Sequence, residues 1–374
     1  MINSKKLLNI LVKNDFTFIT GIPCSILKDF LKCLDDNQDK IKHIIATSEE
    51  ETMGIAAGYY LATSKIPMVY MQNSGLANSV DVLTSLLNKE VYGIPVLLLI
   101  SWRGEPDEKD EPQHIKMGKI TLKLLKLLGI PYKILSDKEE IVIEQIRKAK
   151  EVLRRNSFPY ALIIKKGLIE QYEGRSKRNI YPMAREEAIK IIIDNLRGNE
   201  IIISTTGKTS RELFEYRETK KKSHKTDFYV VGSMGCVASI GFGIAIQKPK
   251  KKVIIFDGDG SVLMKMGTLA TIGCYLPKNF YHIIFDNNSY DSTGGQKTVS
   301  DSVRFDKIAL ACGYRKTKIV FKQEELTNFI RGASLRKGPI MIVVKVKSGG
   351  RKDLGRPTTS PIENKKTFME LLLK

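Results

Sequence analysis

Residues Val253 to Met266 read VIIFDGDGSVLMKM. The opening VIIF is apolar without alternation, as in a strand covered on both faces of a parallel sheet, and SVLMKM returns to helical spacing. Between them stand Asp257, Gly258, Asp259 and Gly260. Glycines raise the entropy lost on folding, and a crowded carboxylate must be solvated or paired, so this turn serves stability poorly. It suits a ligand better. Leading from the carboxyl end of a strand into a helix, it aims the backbone N–H groups of Gly260 and Ser261 at an anion while Asp259 takes a cation. The next apolar run, FYHIIFDN, ends beside Asn287, so hard oxygen ligands from adjacent strand ends are expected to meet at Mg²⁺. The ligand implied is a diphosphate bridged by magnesium.

Outward from this stretch, short apolar runs alternate with amphipathic ones along the chain. FTFITG, HIIAT, MVYM, PVLLLIS, PYKIL and YALIIKK are expected strands, with helical patterns such as EEETMGIAAGYYLATS between them. Periodicity fades over 167 to 183, GLIEQYEGRSKRNIYPM, and a second series follows: EIIISTTG, DFYVV, KKVIIFDG, FYHIIFDN, TKIVF and PIMIVVKVK. Strands alternating with helices read as parallel βα units. A length of 374 residues exceeds the size at which one core usually stops growing. The expected fold is therefore α/β, two doubly wound parallel-sheet domains at 1–170 and 185–374 joined by a linker at 171–184. No residue-level repeat relates the halves. In open sheets of this kind ligands bind beyond the carboxyl ends of the strands. TGIP at Thr20, QNSGLANS at Gln72, SWRGEP at Ser101, STTGKTS at Ser204, VGSMG at Val231 and DNNSYDSTGG at Asp286 all fall at such ends. STTGKTS is not a Walker A loop, since Ile202 stands where that loop requires glycine.

Apolar runs such as IPVLLLIS (Ile94 to Ser101) are too short to cross a bilayer, and the start, MINSKKLLNILVKNDF, has no small-residue cleavage site. The five cysteines are odd in number and lack C-x-x-C spacing, so neither a disulfide framework nor structural zinc is expected. A cytoplasmic setting with reduced thiols fits these features. The net charge of +20 raises nucleic-acid binding as an alternative. The lysines are dispersed, however, and the densest run, RETKKKSHK (Arg217 to Lys225), has no aromatic residue between its charges and reads as a solvated loop. Neither nucleic acid nor membrane is an expected partner; a basic field also suits a small anion.

GDGS, followed after one helix and one strand by DNNSY, resembles the magnesium and diphosphate motif of thiamine diphosphate enzymes, G-D-G with an N-N pair some two dozen residues on. The resemblance implies the thiamine diphosphate-binding fold, with thiamine diphosphate and Mg²⁺ as cofactors. It makes Asp259 and the Asn287 side chain metal ligands, with the Ser289 carbonyl as the third. Gly258, Gly260, Ser261 and Thr293 would contact the cofactor, as would Gly207 with Lys208 and Gly232 with Ser233. Met234 matches the bulky side chain that keeps the cofactor bent. Enzymes of this superfamily also use a glutamate on the other domain, ahead of a helix with an A-A-x-G-Y-like stretch, to bond the aminopyrimidine. Here that stretch is TSEEETMGIAAGYYLAT, and counting back nine places from Gly58 gives Glu49. Glu50 and Glu51 adjoin it, and Ser48 with Glu51 has the spacing of a capping box.

QNSGLANSVDVLTSLLNKEVYGIPVLLLISWRGEPDEKDEPQH (Gln72 to His114), STTGKTSRELFEYRE and DSTGGQKT look like the phosphonopyruvate decarboxylases, with similarity over nearly the whole chain. Those enzymes lack the middle domain of pyruvate decarboxylase. The resemblance implies non-oxidative decarboxylation of 3-phosphonopyruvate to phosphonoacetaldehyde and CO₂, in phosphonate biosynthesis. It also implies a homo-oligomer with active sites between subunits. Arg103 is then expected to bind phosphonate or carboxylate, and His114 to donate a proton or hold substrate. Ser25, Asn73 and Ser74 would offer neutral contacts. An ion pair is the alternative for Arg103, given five acidic residues between Glu105 and Glu111. Two positions depart from the pattern: Cys24 stands where Asp is expected and Cys236 where His is. Sulfopyruvate decarboxylases share the two-domain plan, and a sulfonate mimics a phosphonate, so sulfopyruvate is the alternative substrate.

Overall fold

The computed structural model describes residues 1–174, 179, 181–333 and 337–373. It consists of two compact units, Met1–Ser176 with Ser292–Gln296, and Lys177–Asp291 with Lys297–Lys374. Of the linker expected at 171–184, positions 175–178 and 180 lie outside the described residues. No third unit intervenes among the described residues.

In the first unit β1 (Phe18–Gly21), β2 (Lys42–Ile45), β3 (Met68–Gln72), β4 (Leu97–Ser101), β5 (Tyr132–Ile134) and β6 (Tyr160–Ile164) form one sheet in the order β2-β1-β3-β4-β6-β5. Every pairing is parallel. β4 and β6 are buried from end to end, which is why LLLIS and YALII show no polar alternation. Successive residues feed opposite cores. Tyr70, Leu97 and Leu162 pack with Leu8 and Leu11, whereas Met71, Leu98 and Ile163 pack with Met53, Leu76 and Leu125.

In the second unit β7 (Ile201–Ser204), β8 (Asp227–Tyr229), β9 (Val253–Gly258) and β10 (Phe280–Asp286) come first. Two short strands not expected from the sequence, β11 (Ser289–Tyr290) and β12 (Gln296–Lys297), lie outside the large sheet, and β13 (Lys316–Val320) and β14 (Ile340–Lys345) complete it. The order is β13-β14-β10-β9-β7-β8, again wholly parallel. Ranked along its own unit, the strand order is the same in both sheets: fifth, sixth, fourth, third, first, second. The halves thus share one topology without sharing a residue pattern. In each sheet the chain leaves its first strand for one neighbour and returns to the other, and the carboxyl ends at that reversal form the crevice in which open α/β sheets hold ligands.

Two local expectations change. Arg217, read as part of a solvated run, is buried, and its Nε and Nη2 donate to Asp227 at 2.7 and 2.8 Å. A buried guanidinium needs such a forked carboxylate partner. Lys220 to Ser223 of the same run are exposed. The helix expected after DGDG is two short ones, Asp259–Met264 and Gly267–Tyr275. All five cysteines are free thiols. No helix among the described residues is long and apolar enough to cross a membrane.

Candidate active site

In the first unit, the segment after β2 leads into the helix Glu49–Thr63. Ser48 caps that helix, its Oγ accepting from the Glu51 N–H at 3.3 Å. Glu51 reaches back in turn and accepts from the Thr47 N–H at 2.7 Å and the Thr47 hydroxyl at 2.6 Å. Glu51 is therefore committed to the helix end. Glu49 is 6% exposed, and its Oε2 accepts from Asn78 Nδ2 at 3.1 Å. A methyl group at Gly75 would lie 2.5 Å from Glu49 Cγ and 2.8 Å from Oε1. Only glycine at 75 leaves room for the buried carboxylate. Glu50 is half-buried on the same turn.

Beyond β3, Asn73 opens the short helix Asn73–Asn78 and is 1% exposed. Its Nδ2 donates to the Arg103 carbonyl at 2.8 Å and to Thr121 Oγ1 at 2.9 Å, and its Oδ1 accepts from the Arg103 N–H at 3.2 Å. Expected as a neutral donor to substrate, Asn73 instead commits one amide hydrogen to the loop after β4 and the other to Thr121 of the helix Pro112–Leu127. Ser74 is exposed, and its Oγ accepts from Gln72 Nε2 at 2.8 Å.

That loop carries Arg103, whose Nε donates to Asp110 Oδ2 at 2.7 Å while Nη2 donates to Oδ1 and Nη1 to Ser25 Oγ at 2.8 Å. Arg103 is thus both paired and joined to Ser25. Asp110 also accepts from the Gly104 N–H at 2.7 Å and from His114 Nδ1 at 2.9 Å. Burial disfavours its charge, but the donors of Arg103, His114 and Gly104 outweigh burial and hold the carboxyl well below the usual carboxylate range. Burial pushes the His114 imidazole down, against the pull of Asp110 and with the Arg103 charge adding to the effect. A ring that gives its Nδ1 proton to Asp110 presents Nε2 as an acceptor whenever it is neutral, the form that burial favours.

The other histidines have both ring nitrogens engaged. His43 meets Asp35 and Tyr70, His224 meets Glu218 and Tyr229, and His282 meets Asp257 and Tyr314. Asp110 was not singled out from the sequence. The acid-rich run signalled a partner for Arg103, but only the fold shows which acid reaches it. Cys24 is 1% exposed with Sγ 2.9 Å from Ser101 Oγ, and burial pushes its thiol up. Cys236 is the residue before the helix Val237–Gln247.

In the second unit the loops after β7, β8 and β9 are tied together by hydroxyls. Thr206 Oγ1 accepts from the Gly232 N–H at 3.2 Å, Ser261 Oγ accepts from the Gly235 N–H at 3.1 Å, and Thr205 Oγ1 lies 3.3 Å from Ser261 Oγ. Gly207, at φ +101°, turns the chain into the helix that begins at Lys208. Ser233 follows Gly232 in the left-handed region at φ +44°. A methyl group at Gly260 would come within 2.6 Å of the Tyr290 ring and 3.2 Å of the Met234 methyl. Met234 therefore packs against the glycine turn at Gly260.

Asp259 is 2% exposed, and its Oδ2 accepts from Thr298 at 2.5 Å and Ser300 at 3.0 Å. Ser300 Oγ also lies 2.8 Å from Asp286 Oδ1, so one hydroxyl with a single proton stands between two buried carboxylates. Lys345 Nζ lies 2.5 Å from Asp286 and pairs with that charge. Burial, with the Asp286 charge second, pushes Asp259 up to about 7. A buried carboxylate with a second carboxylate close by fits a cation site. Asn287 is buried, with Oδ1 accepting from the Ser289 N–H at 3.1 Å and Nδ2 donating to Asp291 at 2.7 Å. Among the described residues no group of three or more His, Cys, Asp or Glu side chains could hold a metal. The Asp259 carboxylate, the Asn287 amide oxygen and main-chain carbonyls are the hard oxygen donors on offer here, and donors of that type fit Mg²⁺. Thr293, expected with the cofactor loops, falls in Ser292–Gln296 of the first unit, where its hydroxyl donates to Gln296 Oε1 at 3.2 Å.

Comparison with known proteins agrees with both halves. Residues 3–122 match the family described as thiamine pyrophosphate enzyme, N-terminal TPP binding domain. Residues 205–344 match thiamine pyrophosphate enzyme, C-terminal TPP binding domain. The chain is 34% identical over 386 aligned positions to the phosphonopyruvate decarboxylase of Streptomyces hygroscopicus, covering 99% of this chain and 94% of that protein. It is 33% identical to the phosphonopyruvate decarboxylase of Streptomyces viridochromogenes, covering 94% and 90%. It is 31% identical to the sulfopyruvate decarboxylase of Methanosarcina acetivorans, covering 98% and 97%.

Proposed function

The chain belongs to the thiamine pyrophosphate enzymes, in the group that holds the phosphonopyruvate and sulfopyruvate decarboxylases, and on that premise we propose that it converts 3-phosphonopyruvate to phosphonoacetaldehyde and CO₂. Similarity to two phosphonopyruvate decarboxylases along almost the whole chain carries this reading. Sulfopyruvate is the second reading, favoured by a relative of nearly the same identity and coverage.

Thiamine diphosphate, when bound, supplies the electron-accepting centre for the pair left behind as CO₂ departs. Asp259, the Asn287 side chain and the Ser289 carbonyl would hold its Mg²⁺. The backbone at Gly207, Gly232, Gly258 and Gly260 lets phosphate approach closely, with Lys208, Ser233 and Ser261 as side-chain contacts. Glu49 holds and moves a proton at its carboxyl oxygen, in a slot shaped by Gly75 and steadied by Asn78. Arg103, fixed by Asp110 and Ser25, binds the anionic end of the substrate with His114 beside it.

Self-association with active sites between subunits belongs to the same proposal, supported by membership of the thiamine pyrophosphate enzymes. Free thiols and the lack of a membrane-crossing helix among the described residues support a cytoplasmic setting.

Gly75→Ala should leave the fold intact and lower turnover about 100-fold by displacing Glu49, the scale expected of an ångström misplacement. Circular dichroism with steady-state rates checks this; an unchanged kcat would remove Glu49 from the chemistry. For the activity itself, protein supplied with thiamine diphosphate and Mg²⁺ is offered phosphonopyruvate, sulfopyruvate and pyruvate separately, with CO₂ and aldehyde measured. Preference for phosphonopyruvate is expected. Turnover of sulfopyruvate alone would move the substrate assignment, and turnover of none would overturn the reading.

A further inference from the structure

Asp110 gathers donors from several directions: Arg103 Nε and Nη2, His114 Nδ1, and the backbone N–H groups of Gly104 and Glu111. An ionised carboxylate has no proton to give, so the bond between Asp110 and His114 must use a proton on Nδ1. Oδ1 of Asp110 is shared by Arg103 Nη2 and His114 Nδ1, which sets the guanidinium and the imidazole side by side. Nε2 of His114 has no partner among the described residues, unlike the nitrogens of His43, His224 and His282. The charged groups acting on the His114 ring are Asp110 and Arg103.

We propose that Asp110 is a positioning residue that sets substrate preference: by taking the Nδ1 proton it leaves His114 Nε2 as a bare acceptor beside Arg103, an arrangement matched to a headgroup that brings both negative charge and a proton of its own. This rests on the decarboxylase reading above. A phosphonate keeps an acidic proton into the near-neutral range, as a phosphate monoester does with a second pKa of about 6. A sulfonate is fully ionised and keeps none. The hydrogen phosphonate gives its O–H to Nε2 while its other oxygens take the N–H groups of Arg103 not used by Asp110 and Ser25. A sulfonate turns lone pairs toward Nε2 and leaves that acceptor unsatisfied. Acidification charges His114 and makes Nε2 a donor, while Asp110 stays ionised, so the preference for phosphonate narrows as pH falls.

The test combines imidazole ¹⁵N resonances of the full-length protein with kcat/KM for both substrates across pH. Unaltered protein should show His114 neutral at pH 7, protonated on Nδ1 and bare at Nε2. Asp110→Asn frees the other tautomer, and the phosphonopyruvate to sulfopyruvate ratio should fall roughly tenfold or more through loss of one matched hydrogen bond. His114→Gln, whose amide offers a donor, should lower the ratio in the same direction without disturbing the Arg103 loop. A protonated Nε2 in unaltered protein, or equal losses for both substrates with the ratio unchanged, would overturn the proposal. If unaltered protein decarboxylates neither substrate, the functional reading and the preference both fall, while the tautomer still decides whether Asp110 sets the ring.

Discussion

Glu49→Gln should bind thiamine diphosphate about as tightly as unaltered protein yet turn over substrate about 10²–10⁴ times more slowly. The geometry makes this a clean substitution. Glutamine keeps the same carbon skeleton in the slot beside Gly75, and its amide oxygen still accepts from Asn78 Nδ2, so what disappears is the titratable proton. Glu51→Gln is the contrast, because Glu51 closes the helix start by accepting from the N–H and hydroxyl of Thr47. That variant should lose about 1 kcal/mol of stability or less and keep its turnover. Calorimetric titration of cofactor, thermal melts and steady-state rates on both variants separate the roles. Full activity in Glu49→Gln with silence in Glu50→Gln or Glu51→Gln would show that the count back from Gly58 selects the wrong carboxylate.

Asp259→Asn should act in opposite directions depending on what is bound. Without divalent cation the variant should melt higher than unaltered protein, because Asp259 and Asp286 are two buried carboxylates on either side of the Ser300 hydroxyl, and the Asp286 charge disfavours that of Asp259. Removing one negative charge relieves that crowding. Each kcal/mol recovered raises Tm by roughly 2–4 °C for a unit of this size. With Mg²⁺ and thiamine diphosphate the order should reverse, since ligands that bind only the folded state stabilise it by mass action and the variant has lost a ligand for the cation. Decarboxylation should fall at least about 100-fold, because the cation both holds and neutralises the diphosphate. Melting curves with and without MgCl₂ and cofactor read both effects. A variant that melts lower without cation and still gains fully from Mg²⁺ would exclude Asp259 as a ligand.

These residues differ in how far their surroundings could be read from sequence. Asp259 and Asn287 follow from short-range features, an apolar strand running into a glycine turn and a second strand ending in asparagine. Glu49 needed more. Three glutamates stand in a row, and the helix start buries the first while it uses the third as a cap. Asn73 shows the limit most plainly. Its place after β3 suggested a donor for substrate, but its amide hydrogens serve the Arg103 carbonyl, thirty positions on in the chain, and the Thr121 hydroxyl, farther on still.

The twelve strands of the two large sheets, their parallel character and the polar turns at their carboxyl ends are legible in local sequence, because continuous apolar runs, helical periodicity and glycine turns act over a few residues. Tertiary structure alone decided the order of those strands and the topology the two units share, since crossover connections choose which strands become neighbours and leave no local pattern of that choice. It also decided that Asp110, among five neighbouring acids, receives Arg103 and His114. Sequence spacing lists the charges available to a buried guanidinium, but the turn of the loop after β4 and the start of the helix Pro112–Leu127 bring one of them within hydrogen-bonding reach.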